Sequence, residues 1–247
     1  MEPRQQRGAL AWAEKSGGML IIRPDFERRI DLPGVGPCPR PVDIDRSHTG
    51  FSNLVSLRVY SFAENMVIDG EAEADEVFIV LMLGQAEIAV SSDGREVGRF
   101  SLRRDGASRA VYMPPHASYR LTASTDCDIA YARVEPRETK FPKTRGFAPV
   151  ADRLDIPGYA VGMELALATV QAGEDIRLGE DGRSLERFVH IRSDDEISAT
   201  IAGKRLNDWD SGALNVRDSA LLEVQAGTAH ILTISASQRG TSKVAID

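Results

Sequence analysis

The stretch that decides the fold runs from Glu76 to Gly94, EVFIVLMLGQAEIAVSSDG. Its apolar run, VFIVLML, has the length of one strand and falls far short of the ~18–20 residues that a membrane-spanning helix needs. QAEIAV then alternates, and Asp93-Gly94 separates it from REVGRFSL. Glycine accepts a positive φ without steric cost, so Asp-Gly between two β-patterned runs is a hairpin signal. Outward from this hairpin the same grammar recurs in LVSLRVYSF, AVYMP, SYRLTAS and DIAYARV. Short apolar runs punctuated by Gly and Asp describe an antiparallel sandwich or barrel.

Beyond VEPRETKFPKTRGFAP the order begins again with MELALATV, ERFVHIR, EISATIAG, KRLNDW, ALNVRD, ALLEV, AHILTIS and KVAID. A shift of about 110 residues, too long for a solenoid repeat, pairs Glu76-Val-Phe78-Ile-Val80 with Glu186-Arg-Phe188-Val-His190. It also pairs RRDGASRAVYMPPHASYRLTAS with VRDSALLEVQAGTAHILTIS. The expected organisation is an arm over residues 1–49, a β domain over 50–135, a linker over 136–157 and a second β domain over 158–247. The arm carries five prolines between Pro24 and Pro41. Their missing N–H groups exclude a central strand or a helix interior there, so the segment reads as lying over the body.

The chain has 247 residues, and 30 Lys+Arg against 37 Asp+Glu leave a formal charge of −7. With 42% hydrophobic and 27% charged residues the composition is that of a globular protein. The acidic balance argues against a nucleic-acid partner, which requires clustered cations to displace counterions. No segment reads as a membrane span. Glu14, Lys15 and a Gly pair interrupt the N-terminal apolar stretch, making a poor secretory signal, and a cytoplasmic location is expected. Cys38 and Cys127 show no CxxC spacing and read as plain thiols.

The residues that carry chemistry begin with Gln225-Ala-Gly227-Thr-Ala-His230. This resembles the second cupin motif, P-x-G-x-x-H, with Gln225 in place of proline. The resemblance implies that the glycine turns the chain and that His230 is a metal ligand. With Glu186 as the glutamate of the first cupin motif, its two histidines would fall at Gly179 and Asp181. A metal site needs three or four converging donors, and the motif here is incomplete. A strand over ERFVHIR places Glu186, Phe188, His190 and Arg192 on one face, read as pointing into the barrel. Glu186 and His190 are then the candidate catalytic pair, His230 with them the candidate metal set, and Arg192 a clamp for a ligand carboxylate. The competing reading makes both histidines buried and satisfied by hydrogen bonds. In the first repeat, Met113-Pro114-Pro115-His116-Ala-Ser-Tyr119 puts Tyr119 at the histidine position, as a sugar-binding hydroxyl or a core aromatic. His48 is expected to be exposed and unpartnered.

More broadly, EVFIVLMLGQAEIAV, AVYMPPHASYRLTASTDCDIAYARV, SLERFVHIR and ALNVRDSALLEVQAGTAH resemble a bicupin group. It comprises the 5-deoxy-glucuronate isomerases of inositol catabolism and the 5-keto-4-deoxyuronate isomerases of pectin breakdown. The resemblance spans most of residues 50 to 235 and implies two tandem jelly-roll-like cupin barrels behind the proline-rich arm. It also implies an intracellular isomerase that interconverts aldehyde and ketone forms of a sugar acid. In that group a divalent metal in the C-terminal cupin is held by an H-x-H pair, a Glu and a later His. Glu186 and His230 are the counterparts present, while AGEDIRLGEDGRS upstream brings no histidine. Two functions follow: a sugar-acid isomerase, or a catalytically degenerate cupin with a small-molecule-binding, regulatory or assembly role. Exposed β edges lead us to expect a homo-oligomer.

Overall fold

The computed structural model describes residues 13–16, 19–150, 153–178, 184–215 and 220–237. It is built almost wholly of antiparallel strands arranged as two sandwiches. The first has a six-stranded sheet in the order Arg145–Phe147, Ala110–Met113, Glu76–Leu83, Cys127–Val134, Leu54–Phe62, Val42–Asp45. Facing it are Arg95–Arg103, Gln85–Ser92, Ser118–Ala123 and Val67–Glu71. The second has Met19–Ile22, Ser211–Asn215, Ser184–Arg192, Thr228–Ser237, Met163–Gln171 and Arg153–Ile156 in the corresponding order, with Ala13–Ser16 added outside Met19–Ile22. Its smaller sheet runs Lys204–Leu206, Ser198–Ile201, Ala220–Ala226, Asp175–Leu178. The two strand orders match position for position.

Three apolar cores separate these four layers. Val77, Ile79 and Leu81 face the first sandwich's own core, and Val189 and Ile191 face that of the second. Between the two large sheets lies a third core containing Phe78, Val80 and Met82 from one side and Phe188, Leu232 and Ile234 from the other. A strand covered on both faces needs apolar residues at every position, which is why EVFIVLML is continuous rather than alternating.

The turns follow the sequence closely. Asp93 and Gly94 adopt φ of 50° and 74° and join Ser92 to Arg95 in register, the type I′ geometry that the Asp-Gly pair announces. Its counterpart is Ala202-Gly203, with φ of 49° and 75°, between Ile201 and Lys204. Alanine gives no signal for that conformation.

The proline-rich arm links both sandwiches. Met19–Ile22 completes the second large sheet against Ser211–Asn215, whereas Val42–Asp45 completes the first against Leu54–Phe62. Between them, Arg29–Leu32 and Gly36–Pro39 form a separate two-stranded hairpin whose Ile30, Leu32, Val35 and Cys38 pack onto the first core. His48 is not unpartnered: Asp45 N–H donates to its Nδ1 at 3.1 Å, closing a capping box on the short helix Arg46–Thr49. Both cysteines are free and buried, and burial pushes the Cys127 thiol up to about 12.

Candidate functional site

The side chains of Glu186, Phe188, His190 and Arg192 do not enter the second sandwich. Phe188 belongs to the middle core, while Val189 and Ile191 point inward. Because side chains alternate with period two, Glu186, His190 and Arg192 therefore face the first half of the molecule. The inward reading of that face is reversed by one residue.

Each of these groups is held by a specific partner there. The Glu186 carboxylate accepts from the backbone N–H of Ser52, of Asn53 at 2.8 Å and of Leu54 at 2.8 Å. Glu76 repeats the arrangement from the other half. It accepts from Val161 N–H at 2.9 Å, Gly162 N–H at 2.8 Å and the Tyr112 hydroxyl at 2.7 Å. The two glutamates thus clamp the chain where it enters Leu54–Phe62 and Met163–Gln171, each reaching across to the opposite sandwich. Arg192 stacks on Trp209 at 4.4 Å and donates to Asp128 at 2.7 Å and Asp208 at 2.5 Å.

His190 is fully buried, with Nδ1 2.9 Å from Ser211 Oγ, and burial, reinforced by Arg192, drives its pKa down to about 3. His230 contacts Thr169 Oγ1 at 3.1 Å through Nδ1, and its Nε2 meets the Arg104 guanidinium. Burial, followed by Arg104 and Arg109, lowers it to about 4. The two histidines occupy adjacent strands, but His190 pairs in register with Leu232 and Arg192 with His230. A guanidinium against one imidazole and backbone amides around the carboxylate do not suit a cation. Among the described residues no group of three or more His, Cys, Asp or Glu is placed to hold a metal ion. Gly179 and Asp181 lie outside the described residues.

Tyr119 sits in the other sandwich, its ring 5.8 Å from that of Tyr131, and burial raises its hydroxyl to about 12. It is not the counterpart of His230. Its strand, Ser118–Ala123, corresponds in sheet order to Ala220–Ala226, whereas Thr228–Ser237 corresponds to Cys127–Val134. The two motif-like segments therefore lie in front of different strands, although Gly227 and His116 both adopt positive φ, 77° and 65°.

The inward face that the sequence reading missed lines a cavity of about 670 Å³. Cross-strand registers set Glu164 beside Ser235 and Ser235 beside Arg187, so carboxylate, hydroxyl and guanidinium form one row across three strands. Arg187 Nε donates to Ser235 Oγ at 2.7 Å. The next row begins with Ala166 and Thr233, and Arg153, Asp155, Ile176 and Arg177 complete the rim. The same rows in the first sandwich are Ser56, Arg133 and Val77, then Arg58, Tyr131 and Ile79. There Tyr131 fills the level at which Thr233 and Ala166 leave space. The available sequence signal was MELALATV, whose Ala166 and Ala168 replace the Arg58 and Tyr60 of LVSLRVYSF.

This arrangement can be set beside known proteins. Residues 40–152 match the KduI/IolB family. The fold resembles an IolB-like protein from Salmonella typhimurium LT2, at 14% identity and a TM-score of 0.59 over 82% of this chain and 90% of that one. It also resembles YlbA from E. coli (14% identity, TM-score 0.65, 97% of each chain) and oxalate decarboxylase from Bacillus subtilis (9%, 0.65, 94% of this chain and 80% of that one). No curated protein matches the chain in sequence. The chain is an all-β protein whose residues 40–152 match that family and whose fold resembles those of these solved structures. Among the described residues no helix is long and apolar enough to cross a membrane.

Proposed function

We propose that this chain binds a small sugar acid in the cavity of its C-terminal sandwich, and that this site works without a metal held by Glu186, His190 and His230. The observation that carries the reading is the Glu164, Ser235, Arg187 row facing a cavity of about 670 Å³. A largely buried guanidinium selects a planar carboxylate through paired hydrogen bonds, and a hydroxyl and a carboxylate beside it suit sugar hydroxyls. The family match supports the ligand class. The protein acts in the cytoplasm as a homo-oligomer in this reading, consistent with the Arg153–Ile156 strand standing at a sheet edge.

One observation favours an isomerase as the second reading. Glu164 has no ion pair among the described residues, and a carboxylate beside bound substrate can move a proton between adjacent carbons as aldose–ketose isomerisation requires. Calorimetric titration with glucuronate tests the site itself. Arg187→Met should weaken binding at least tenfold, about 1.4 kcal/mol, and unchanged affinity would refute the assignment. Incorporation of solvent deuterium at the carbon next to the carbonyl, lost in Glu164→Gln, would establish turnover.

A further inference from the structure

The cavity of the second sandwich opens on a side that the first sandwich keeps covered. Its lining draws on Arg153–Ile156 and Asp175–Leu178, the edge strands of the two facing sheets. The corresponding edges of the first sandwich are Val42–Asp45 and Val67–Glu71. There Ile30, Leu32, Val35 and Cys38 of the separate hairpin pack onto the core. Matched residues record the difference. Ile68, opposite Leu121, is 2% exposed, whereas its counterpart Ile176, opposite Leu222, is half-buried. Asp43 and Asp155 occupy the same place, opposite Arg58 and Ala166. Arg28 and Arg40, which flank the hairpin, donate to the Asp43 carboxylate at 2.8 and 2.7 Å, and that side chain is 14% exposed. Asp155 is met by Arg153 at 2.6 Å and stays 47% exposed. The second sandwich thus keeps the seat and the anchor of a cover.

The chain passes Ser237 beside that seat. Ser237 lies two residues beyond Ser235 of the cavity wall, and its strand is separated from the Arg153–Ile156 edge by Met163–Gln171 alone. Two strand spacings are about 10 Å, and five extended residues span up to about 17 Å. Residues 238–242, QRGTS, therefore suffice to bring the next five, KVAID, over the opening. That segment, read from the sequence as a β run, lies outside the described residues. It spaces Val244 and Ile246 by two, as one strand face requires, and the ten residues bring Arg239 and Lys243 as cations. The Arg153–Ile156 edge is poorly suited to take another strand, because Arg153 exchanges both backbone hydrogen bonds with Val150, at 2.7 and 3.1 Å, and Pro157 has no N–H. A cover here must rest on side chains, as the hairpin of the first sandwich does, since that hairpin is paired with neither large sheet. We propose that residues 238–247 are the lid of the second cavity. Val244 and Ile246 close over Ile176 and Ala166, Arg239 and Lys243 bind Asp155, and the segment governs entry of whatever ligand the cavity takes.

Thiol labelling tests this without any ligand. Two reporters, Ala166→Cys and Ile176→Cys, both in the cavity lining, are read separately by maleimide modification of the full-length chain. The native Cys38 and Cys127 are buried and should stay unmodified throughout. In either reporter, adding Val244→Asp with Ile246→Asp should speed modification at least tenfold, and adding Arg239→Gln with Lys243→Gln at least threefold. Rates unchanged by these substitutions would overturn the proposal. Protection that disappears on dilution would overturn it as well, by assigning the cover to a second copy, because a lid from the same chain protects equally at every protein concentration. The readout uses no sugar acid, so its failure and that of the ligand assignment above are separate results.

Discussion

The two sandwiches share a strand order and a glutamate clamp, yet differ in what fills them. At one level the first places Arg58 and Tyr131 where the second places Ala166 and Thr233. The first adds the hairpin of Arg29–Leu32 and Gly36–Pro39 packed on its core, and the second keeps a cavity of about 670 Å³. Residues that hold the halves together are thus repeated, while residues that line the interior of each half have diverged. Glu76 and Glu186, the best-matched acidic pair in the sequence, fall in the repeated class and bind backbone amides of the opposite half.

The clamps offer the strongest way to break the comparison. Glu76→Ala leaves two backbone amides and the Tyr112 hydroxyl without their acceptor, which should cost about 3 kcal/mol or more in denaturant unfolding. Glu186→Ala should cost less, because its site retains slight exposure, 7% against 0% for Glu76. Equal and negligible losses would show that the clamps are incidental.

Acid should act next, through the second half. His190 and His230 are neutral in the fold, with pKa values near 3 and near 4, against about 6.5 when unfolded. Their folded values are depressed, so below pH 6.5 the unfolded chain binds more protons. The stability they contribute is complete above that pH and is lost as pH falls toward 4. Asp128 and Asp210, raised by burial, oppose this, since their contribution is greatest when protonated. The two histidines together should lose about 3–4 kcal/mol between pH 7 and pH 5, part of it offset by the aspartates, measured as a falling urea midpoint, and His190→Asn should flatten the profile.

A smaller test sits at the clamp itself. A Cβ added at Gly162 would lie 2.9 Å from Val134 Cγ1 and 3.1 Å from Glu76 Oε2, so Gly162→Ala should destabilise by about 1–3 kcal/mol through overpacking. The smallest concerns the paired turns. Asp93 and Ala202 share a φ near 50°, and Ala202→Gly should stabilise the second hairpin by about 0.5 kcal/mol, read from the denaturant midpoint.

Most of the fold was legible because strand length, turn residues and apolar spacing are local properties. Asp93-Gly94 declared its turn, and EVFIVLML declared a strand buried on both faces. The site was less legible for two physical reasons. ERFVHIR carries apolar residues on both faces, Phe188 on one and Val189 with Ile191 on the other, since both are covered. Period two alone therefore could not say which face meets the cavity, and Arg187 was overlooked in favour of Glu186, His190 and Arg192. The likeness of PPHASY to QAGTAH also slipped by one strand, because successive β runs look alike until their pairing is known. Glu164 and Ala166 became visible only when their neighbours Ser235 and Thr233 were known.

The central claim is that ligand chemistry belongs to the inward face of the second sandwich, while the Glu186–Arg192 face joins the halves. A crystal soaked with glucuronate tests it most directly. The account predicts ligand density against Arg187, Ser235 and Glu164, with Glu186, His190 and His230 keeping their present partners. Ligand bound between His190 and His230, with Arg192 turned from Asp128 onto its carboxylate, would contradict it.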